Sequence, residues 1–174
     1  LDEVHQMVIA IGDASSRESG ETPSVQSAPA TDENEENALV SVSFLLDRSG
    51  SMNSLAQDVI GGFNAFVANQ RTVDGSCLFT AAQFDGTDPF ELLYDRVPIT
   101  DVSELNSDRY QPRGNTPLFD AIATLINNVE NGSGSSTANA EQIVVVFTDG
   151  LENASRTWTR DQVFELIEQK KGQG

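Results

Sequence analysis

Largely apolar runs in the chain predict four strands. Val40–Leu46 and Ile143–Phe147 carry few polar side chains, which is typical of strands covered on both faces. Cys77–Phe84 and Phe90–Tyr94 are two further runs, separated only by a short stretch rich in Asp, Gly and Pro. So short a connection predicts that these two runs form an antiparallel hairpin at the edge of a sheet.

Apolar residues at helical spacing predict three helices between and after these strands. The first runs from about Leu55 to Gln70, and the second begins at Pro117, a residue suited to the first position of a helix. The third runs from Thr159 to about Lys171 and opens with a capping box. The order of elements predicts an α/β fold with a mostly parallel sheet and one antiparallel edge strand, in which 40–46 and 143–147 are neighbours.

The segment before residue 39 has a different composition. Apolar residues within 4–11 fall at helical spacing, whereas 12–37 are polar and acidic and carry too little apolar surface to offset the entropy of ordering. We therefore divide the chain into an acidic, largely disordered segment, 1–38, and a folded domain, 39–174. One helix is all that follows the strand 143–147, so we expect a C-terminally incomplete domain with an apolar sheet edge that promotes self-association.

Charge excludes several classes of partner. Residues 1–38 hold nine acidic and one basic residue, and 39–174 hold eighteen and nine, for a net charge of -17. Without a basic run the chain is unsuited to nucleic acid or to an anionic membrane surface.

No apolar run is long enough to span a bilayer, and we expect a cytoplasmic location. The single cysteine, Cys77, excludes a cysteine-based zinc cluster.

Five oxygen-bearing side chains lie where the predicted strands and helices meet. Asp47, Ser49 and Ser51 alternate directly after the first strand, Thr116 precedes the second helix, and Asp149 follows the strand 143–147. The carboxyl ends of neighbouring parallel strands flank the crevice in which α/β sheets bind ligands. Carboxylates and hydroxyls without His or Cys suit Mg²⁺, Mn²⁺ or Ca²⁺ better than Zn²⁺.

Each of these residues also has an ordinary structural interpretation. Serine and threonine before a helix can be caps, although a capping box at Ser54 and Gln57 would leave Ser49 and Ser51 without that task. Thr116 is as suited to capping as to binding, and Asp149 with Gly150 could form a simple turn. Asp85 and Asp88 are interpreted as solvated loop residues. Arg48, Arg113 and Arg156 are expected to offset the negative field near the motif loops.

The motifs Asp47-x-Ser49-x-Ser51, Gly114-Asn-Thr116 and Thr148-Asp149-Gly150 resemble the metal-ion-dependent adhesion site of von Willebrand factor type A domains. The resemblance implies a Rossmann-like three-layer sandwich that binds a divalent cation. It further implies that the Ser49, Ser51 and Thr116 hydroxyls contact this ion and that Asp47 and Asp149 bind it directly or through water. It also implies an open position for the Glu or Asp carboxylate of a protein partner. The sequence around Asp47 and Asp149 is most similar to that of stand-alone prokaryotic and phage members of the family. Related domains continue further at the C-terminal side.

Three functions remain open at this point. The first is a divalent-metal-dependent protein-binding module without enzymatic activity. The second is a magnesium-dependent phosphotransferase or hydrolase with Asp47 as nucleophile, which is weakened because Ser49 stands where such an enzyme needs an acid. The third is a structural subunit with a vestigial site.

Overall fold

The computed structural model describes residues 5–11, 39–73, 75–131, 141–149 and 152–171. Within these ranges the chain forms five strands, three α-helices and two short 3₁₀-helices. The strands are β1 His5–Ile11, β2 Leu39–Asp47, β3 Ser76–Phe84, β4 Glu91–Pro98 and β5 Glu141–Thr148. The helices are α1 Ala56–Gln70, α2 Leu118–Asn131 and α3 Arg160–Lys171, with 3₁₀ turns at Gly50–Leu55 and Ile99–Asp101.

The strands form one sheet in the order β1-β5-β2-β3-β4. Its three central strands are parallel, with Phe44 of β2 opposite Val145 of β5 and Ala81 of β3. β4 is antiparallel to β3, as the hairpin pattern predicts. The predicted fold class is therefore confirmed, and β2 and β5 are neighbours whose carboxyl ends lie at the same edge of the sheet.

The expectation of a free apolar edge beside β5 is wrong. β1 pairs antiparallel with β5 over its full length, from His5 opposite Thr148 to Ile11 opposite Gln142, so both edge strands are antiparallel. The apolar residues within 4–11 fall at helical spacing, yet residues 5–11 form a strand. Without β1, the edge of β5 would present a row of unpaired backbone N–H and C=O groups, and pairing with these groups outweighs the local preference for a helix. The rest of the segment 1–38 that we predicted to be largely disordered, 1–4 and 12–38, falls outside the described residues.

Helices cover both faces of the sheet, which gives the expected three-layer sandwich. On the α1 face, the ring centroid of Phe44 lies 4.7–5.8 Å from four other phenylalanine rings, those of Phe63, Phe66, Phe79 and Phe147. On the opposite face, Leu45 and Val146 pack with residues of α2 and α3. None of the helices in the described part of the chain has the length and apolar content to cross a membrane.

The long connection after β4 folds back onto the domain. β4 continues to Pro98, beyond the predicted end of this strand at Tyr94, and the 3₁₀ turn Ile99–Asp101 follows it directly. The Asn64 side chain of α1 exchanges two hydrogen bonds with the backbone of Leu105, at 2.9 and 2.8 Å. Tyr110 is then buried, with 1% of its surface exposed. These contacts bring the rest of the connection to the carboxyl end of β2.

Candidate functional site

Asp47 ends β2 and is completely buried. Its Oδ1 accepts the N–H of Ser49 at 2.8 Å, and its Oδ2 accepts the hydroxyl of Thr148 at 2.7 Å. Its backbone carbonyl accepts the hydroxyl of Tyr110. Burial raises the pKa of Asp47, the two hydrogen-bond donors act in the opposite direction, and the charge of Asp149 raises the pKa further. Asp47 is therefore an anchored carboxylate close to a second one.

The two serines after Asp47 lie side by side. Their Oγ atoms are 3.1 Å apart; Ser49 is buried and Ser51 is exposed. Ser49 occupies the residue before the 3₁₀ turn but makes no capping hydrogen bond. The predicted capping box at Ser54 is wrong, because Ser54 lies inside that turn and α1 begins without a side-chain cap. Both hydroxyls thus face each other instead of a helix end.

Thr116 is held in place by its backbone. Its N–H donates to Asn153 Oδ1 at 2.9 Å, and its carbonyl accepts the N–H of Asn153 at 3.1 Å. The first N–H groups of α2 are capped by other residues: that of Phe119 donates to Glu152 Oε2 and Ser155 Oγ, at 3.1 and 3.0 Å. Among the described residues we find no helix N–H group that donates to the Thr116 hydroxyl, so the capping interpretation receives no support. The side chain itself is 1% exposed.

Asp149 follows β5 and is partly exposed. Its carboxylate is near enough to Asp47 and Tyr110 to raise the pKa of both side chains, after the larger effect of burial. The parallel register that places Phe147 beside Leu46 explains this proximity, because the residues after both strands emerge at one edge. Gly150, the last residue of the third motif, lies outside the described residues.

Backbone hydrogen bonds join the motif loops to one another. Gly50 N–H donates to the Gly114 carbonyl at 3.0 Å, and Arg113 N–H donates to the Arg48 carbonyl at 2.8 Å. Gly114 has a φ of +67°, a conformation that favours glycine. The structure therefore places Ser49 in hydrogen-bonding contact with both Asp47 and Ser51, and it places Asp149 close to Asp47. It connects Thr116 to them through Gly114 and through Asn153.

Arg48 ties the same loop to the hairpin. Its guanidinium contacts Asp85 Oδ2 at 2.7 Å and Glu91 Oε2 at 2.8 Å, with 6% of the side chain exposed. Arg113 Nε also contacts Asp85 Oδ2, at 3.0 Å. The interpretation of Asp85 as a solvated loop residue is wrong, since its side chain is 0% exposed. Burial alone would raise the pKa of Asp85, but the N–H groups of residues 87 and 88 and the two guanidinium groups lower it overall.

Two carboxylates hold the loop that follows Asp149. Glu152 Oε1 accepts the N–H groups of Ala154 and Ser155, both at 2.7 Å. Burial would raise the pKa of Glu152, but these donors and those of Ser155 Oγ and Phe119 N lower it overall. The Asp120 carboxylate accepts three consecutive backbone N–H groups at 2.8–3.0 Å, those of Arg156, Thr157 and Trp158.

Sequence reasoning missed most of these supporting residues. Tyr110 carried a signal, because it is the one aromatic side chain in the long connection between β4 and α2. Thr148 stood within a quoted motif but was given no role. Asn153 and Glu152 had no signal, because their partners Thr116 and Phe119 are more than thirty residues away in sequence.

The donor set fits a hard divalent ion. In the described ranges, no group of three or more His, Cys, Asp and Glu side chains is placed to hold a metal. The candidate set contains two such residues, Asp47 and Asp149, and its other donors are hydroxyls. A bound cation would stabilise two neighbouring carboxylates, one of them fully buried, because it offsets their negative charge. Oxygen atoms are also the ligands that Mg²⁺ and Ca²⁺ prefer.

Comparison with known proteins assigns the domain. No curated protein matches the chain. Residues 41–174 match the family model of the von Willebrand factor type A domain, whose members typically act as protein-interaction modules and often bind a divalent metal ion. The match covers β2 to α3, including all three motifs, and the chain therefore belongs to the von Willebrand factor type A domain family.

Proposed function

We propose that this domain is a divalent-metal-dependent protein-binding module. In this proposal Asp47, Ser49, Ser51, Thr116 and Asp149 hold Mg²⁺, or Mn²⁺ or Ca²⁺ in its place. A bound ion supplies the positive charge that a Glu or Asp carboxylate of a partner protein recognises. The observation that carries the proposal is the contact of the Ser49 and Ser51 hydroxyls, 3.1 Å apart, beside two neighbouring carboxylates at one edge of the sheet.

Exposure indicates from which side a partner approaches. Asp47, Ser49 and Thr116 are buried, whereas Ser51 is exposed and Asp149 is partly exposed. A partner therefore reaches the site on the side of Ser51 and Asp149, while the other donors form its fixed base.

The enzymatic alternative receives less support from the geometry. An Asp47 nucleophile would need an oxygen that faces substrate, yet the side chain is 0% exposed. One carboxylate oxygen accepts the Ser49 N–H and the other accepts the Thr148 hydroxyl. We therefore propose a non-enzymatic role. A structural subunit with a vestigial site differs from our proposal by its failure to bind metal. The relation to prokaryotic and phage members and the cytoplasmic location stay predictions.

Thermal unfolding with and without metal tests this proposal. At a hundredfold excess over Kd, Mg²⁺ should stabilise the folded state by about 2.7 kcal/mol and raise Tm, and EDTA should reverse the change. Ser51→Ala and Asp149→Ala should remove the response. Ser54→Ala is the matched control, because Ser54 is an exposed serine in the same 3₁₀ turn and is no proposed ligand. A Tm that is unchanged by millimolar Mg²⁺, Mn²⁺ and Ca²⁺ would refute the metal site and favour the vestigial alternative.

A further inference from the structure

Asn153 holds the backbone of Thr116 at two points. The Thr116 N–H donates to Asn153 Oδ1 at 2.9 Å, and the Thr116 carbonyl accepts the Asn153 N–H at 3.1 Å. These bonds fix the peptide groups on both sides of the Thr116 Cα atom, and with them the direction in which the side chain leaves the backbone. Because this side chain is β-branched and only 1% exposed, few orientations remain for its hydroxyl.

The loop that carries Thr116 is tied to two other parts of the proposed site. The Gly114 carbonyl accepts the N–H of Gly50, which lies between Ser49 and Ser51. Pro117, on the other side of Thr116, has no N–H group to contribute. Asn153 therefore supplies the connection between Thr116 and the segment that follows β5.

Asn153 is itself held by its neighbours. Glu152 Oε1 accepts the N–H groups of Ala154 and Ser155, both at 2.7 Å, and Glu152 Oε2 accepts the N–H of Phe119 in α2 at 3.1 Å. The backbone of Asn153 is thus fixed to the beginning of α2. Its side chain is exposed, so a substitution there leaves the core of the domain intact.

One segment supplies a proposed ligand and supports another. Asp149 precedes Asn153 by four residues, so a shift of Asn153 would move Thr116 relative to Asp149. Mg²⁺ requires near-octahedral oxygen ligands at about 2.0–2.1 Å, whereas Ca²⁺ accepts about six to eight oxygens at about 2.3–2.6 Å in a flexible geometry. Ligands in fixed positions therefore favour Mg²⁺, and a loosened site loses more affinity for Mg²⁺ than for Ca²⁺.

We infer that Asn153 is a positioning residue of the metal site and that, by holding Thr116, it gives the site a preference for Mg²⁺ over Ca²⁺. The inference rests on the proposed function, because it takes the Thr116 hydroxyl as a ligand. Asn153 acts through Thr116 and is not itself a ligand. Loss of a residue that orients a metal ligand typically weakens metal binding by about 10–100-fold.

Isothermal titration calorimetry of the metal-free 174-residue chain with MgCl₂ and with CaCl₂ tests this preference. Asn153→Ala removes the Oδ1 acceptor and keeps the backbone N–H. We expect the Kd for Mg²⁺ to rise about tenfold and the Kd for Ca²⁺ to rise at most about threefold, since Ca²⁺ tolerates displaced ligands. A variant that is only less stable would lose affinity for both ions by the same factor, because unfolding removes the site for either ion.

Two further variants serve as rescue and control. In Asn153→Asp a carboxylate oxygen accepts the Thr116 N–H, and the added charge attracts both ions alike. The ratio of the two Kd values should therefore return to that of the unmodified chain, even though each Kd changes. Asn53→Ala is the matched control, because Asn53 is an exposed asparagine in the 3₁₀ turn, two residues after Ser51, and its loss should leave the ratio unchanged.

A second measurement needs no metal. The exchange of the Thr116 N–H with solvent, followed by NMR in the presence of EDTA, reports whether Asn153 Oδ1 restrains this group. We expect faster exchange in Asn153→Ala and a rate close to that of the unmodified chain in Asn153→Asp.

Three results would overturn the inference while the proposed function stands. The unmodified chain binds Ca²⁺ as tightly as Mg²⁺; or Asn153→Ala changes both Kd values by the same factor; or the Thr116 N–H exchanges equally slowly in Asn153→Ala. A ratio that Asn153→Asp does not restore has the same consequence. An unmodified chain that binds neither ion is a different outcome, because it refutes the proposed function and the inference with it.

Discussion

The candidate site is held from two sides by different kinds of interaction. On the ion-pair side, which consists of Arg48, Asp85, Glu91 and Arg113, charged side chains neutralise one another. On the amide side, which consists of Asp120, Glu152, Asn153 and Ser155, side-chain oxygens accept backbone N–H groups.

The two sides differ in what the loss of one member leaves behind. On the ion-pair side, Asp85 and Arg48 are buried, so removal of one leaves a charge without its partner and away from water. On the amide side, Glu152 is only partly buried, so water can replace some of the lost hydrogen bonds. We therefore expect the folding of the domain to depend most on the ion-pair side.

The largest effect is expected for Asp85→Asn. Loss of the buried carboxylate leaves the Arg48 guanidinium with two half-exposed partners, Glu91 and the more distant Asp88. We expect a decrease of about 3 kcal/mol in the free energy of unfolding, measured by urea denaturation. Asp108→Asn is the control, because it removes an exposed carboxylate nearby. A decrease below about 1 kcal/mol would mean that the ion-pair side behaves like an exposed surface pair.

A smaller effect is expected for Glu152→Gln on the amide side. The substitution replaces one acceptor oxygen by an NH₂ group that faces donors from Ser155 or Phe119. We expect a loss of about 1–2 kcal/mol in the same denaturation experiment, with the exposed Glu104→Gln as control. A loss as large as that of Asp85→Asn would remove the distinction between the two sides.

Lowering the pH protonates a carboxylate on each side of the candidate site, Asp85 on the ion-pair side and Glu152 on the amide side. The pKa of Asp85 is lowered from 3.8 and that of Glu152 from 4.5, so in this range the unfolded chain binds more protons than the folded one. Their stabilisation is complete above these ordinary values and is lost as pH falls through the folded pKa values. Each group contributes at most about 1.4 kcal/mol per pH unit. Denaturation between neutral and strongly acidic pH should show a shallower decline in Asp85→Asn and in Glu152→Gln; parallel curves would contradict this.

The smallest effect is expected for Asp88→Asn. Asp88 contacts Arg113 next to the ion-pair side, but both side chains are about half exposed, at 51% and 48%. We expect a loss of no more than about 1 kcal/mol, reduced further by salt. A loss comparable with that of Asp85→Asn would show that burial is not what distinguishes the two aspartates.

The sequence determined the parts of this protein whose signals are local. Apolar period and turn residues predicted β2 to β5 and the three helices, because periodicity reflects which face of an element is buried. The spacing of Asp47, Ser49 and Ser51 directly after a buried strand indicated a site, and the capping box of α3 was confirmed by the Thr159 and Gln162 hydrogen bonds. These features depend on neighbours within a few residues.

Tertiary structure alone decided the features that join distant segments. The backbone pairing with β5 made 5–11 a strand, although its spacing favoured a helix. The hydrogen bond from Tyr110 to Asp47 and the ion pair between Arg48 and Asp85 connect residues 63 and 37 positions apart. The local sequence pattern does not predict such contacts. A charged or polar side chain is expected to be exposed, and it can be buried only where the fold places a partner beside it.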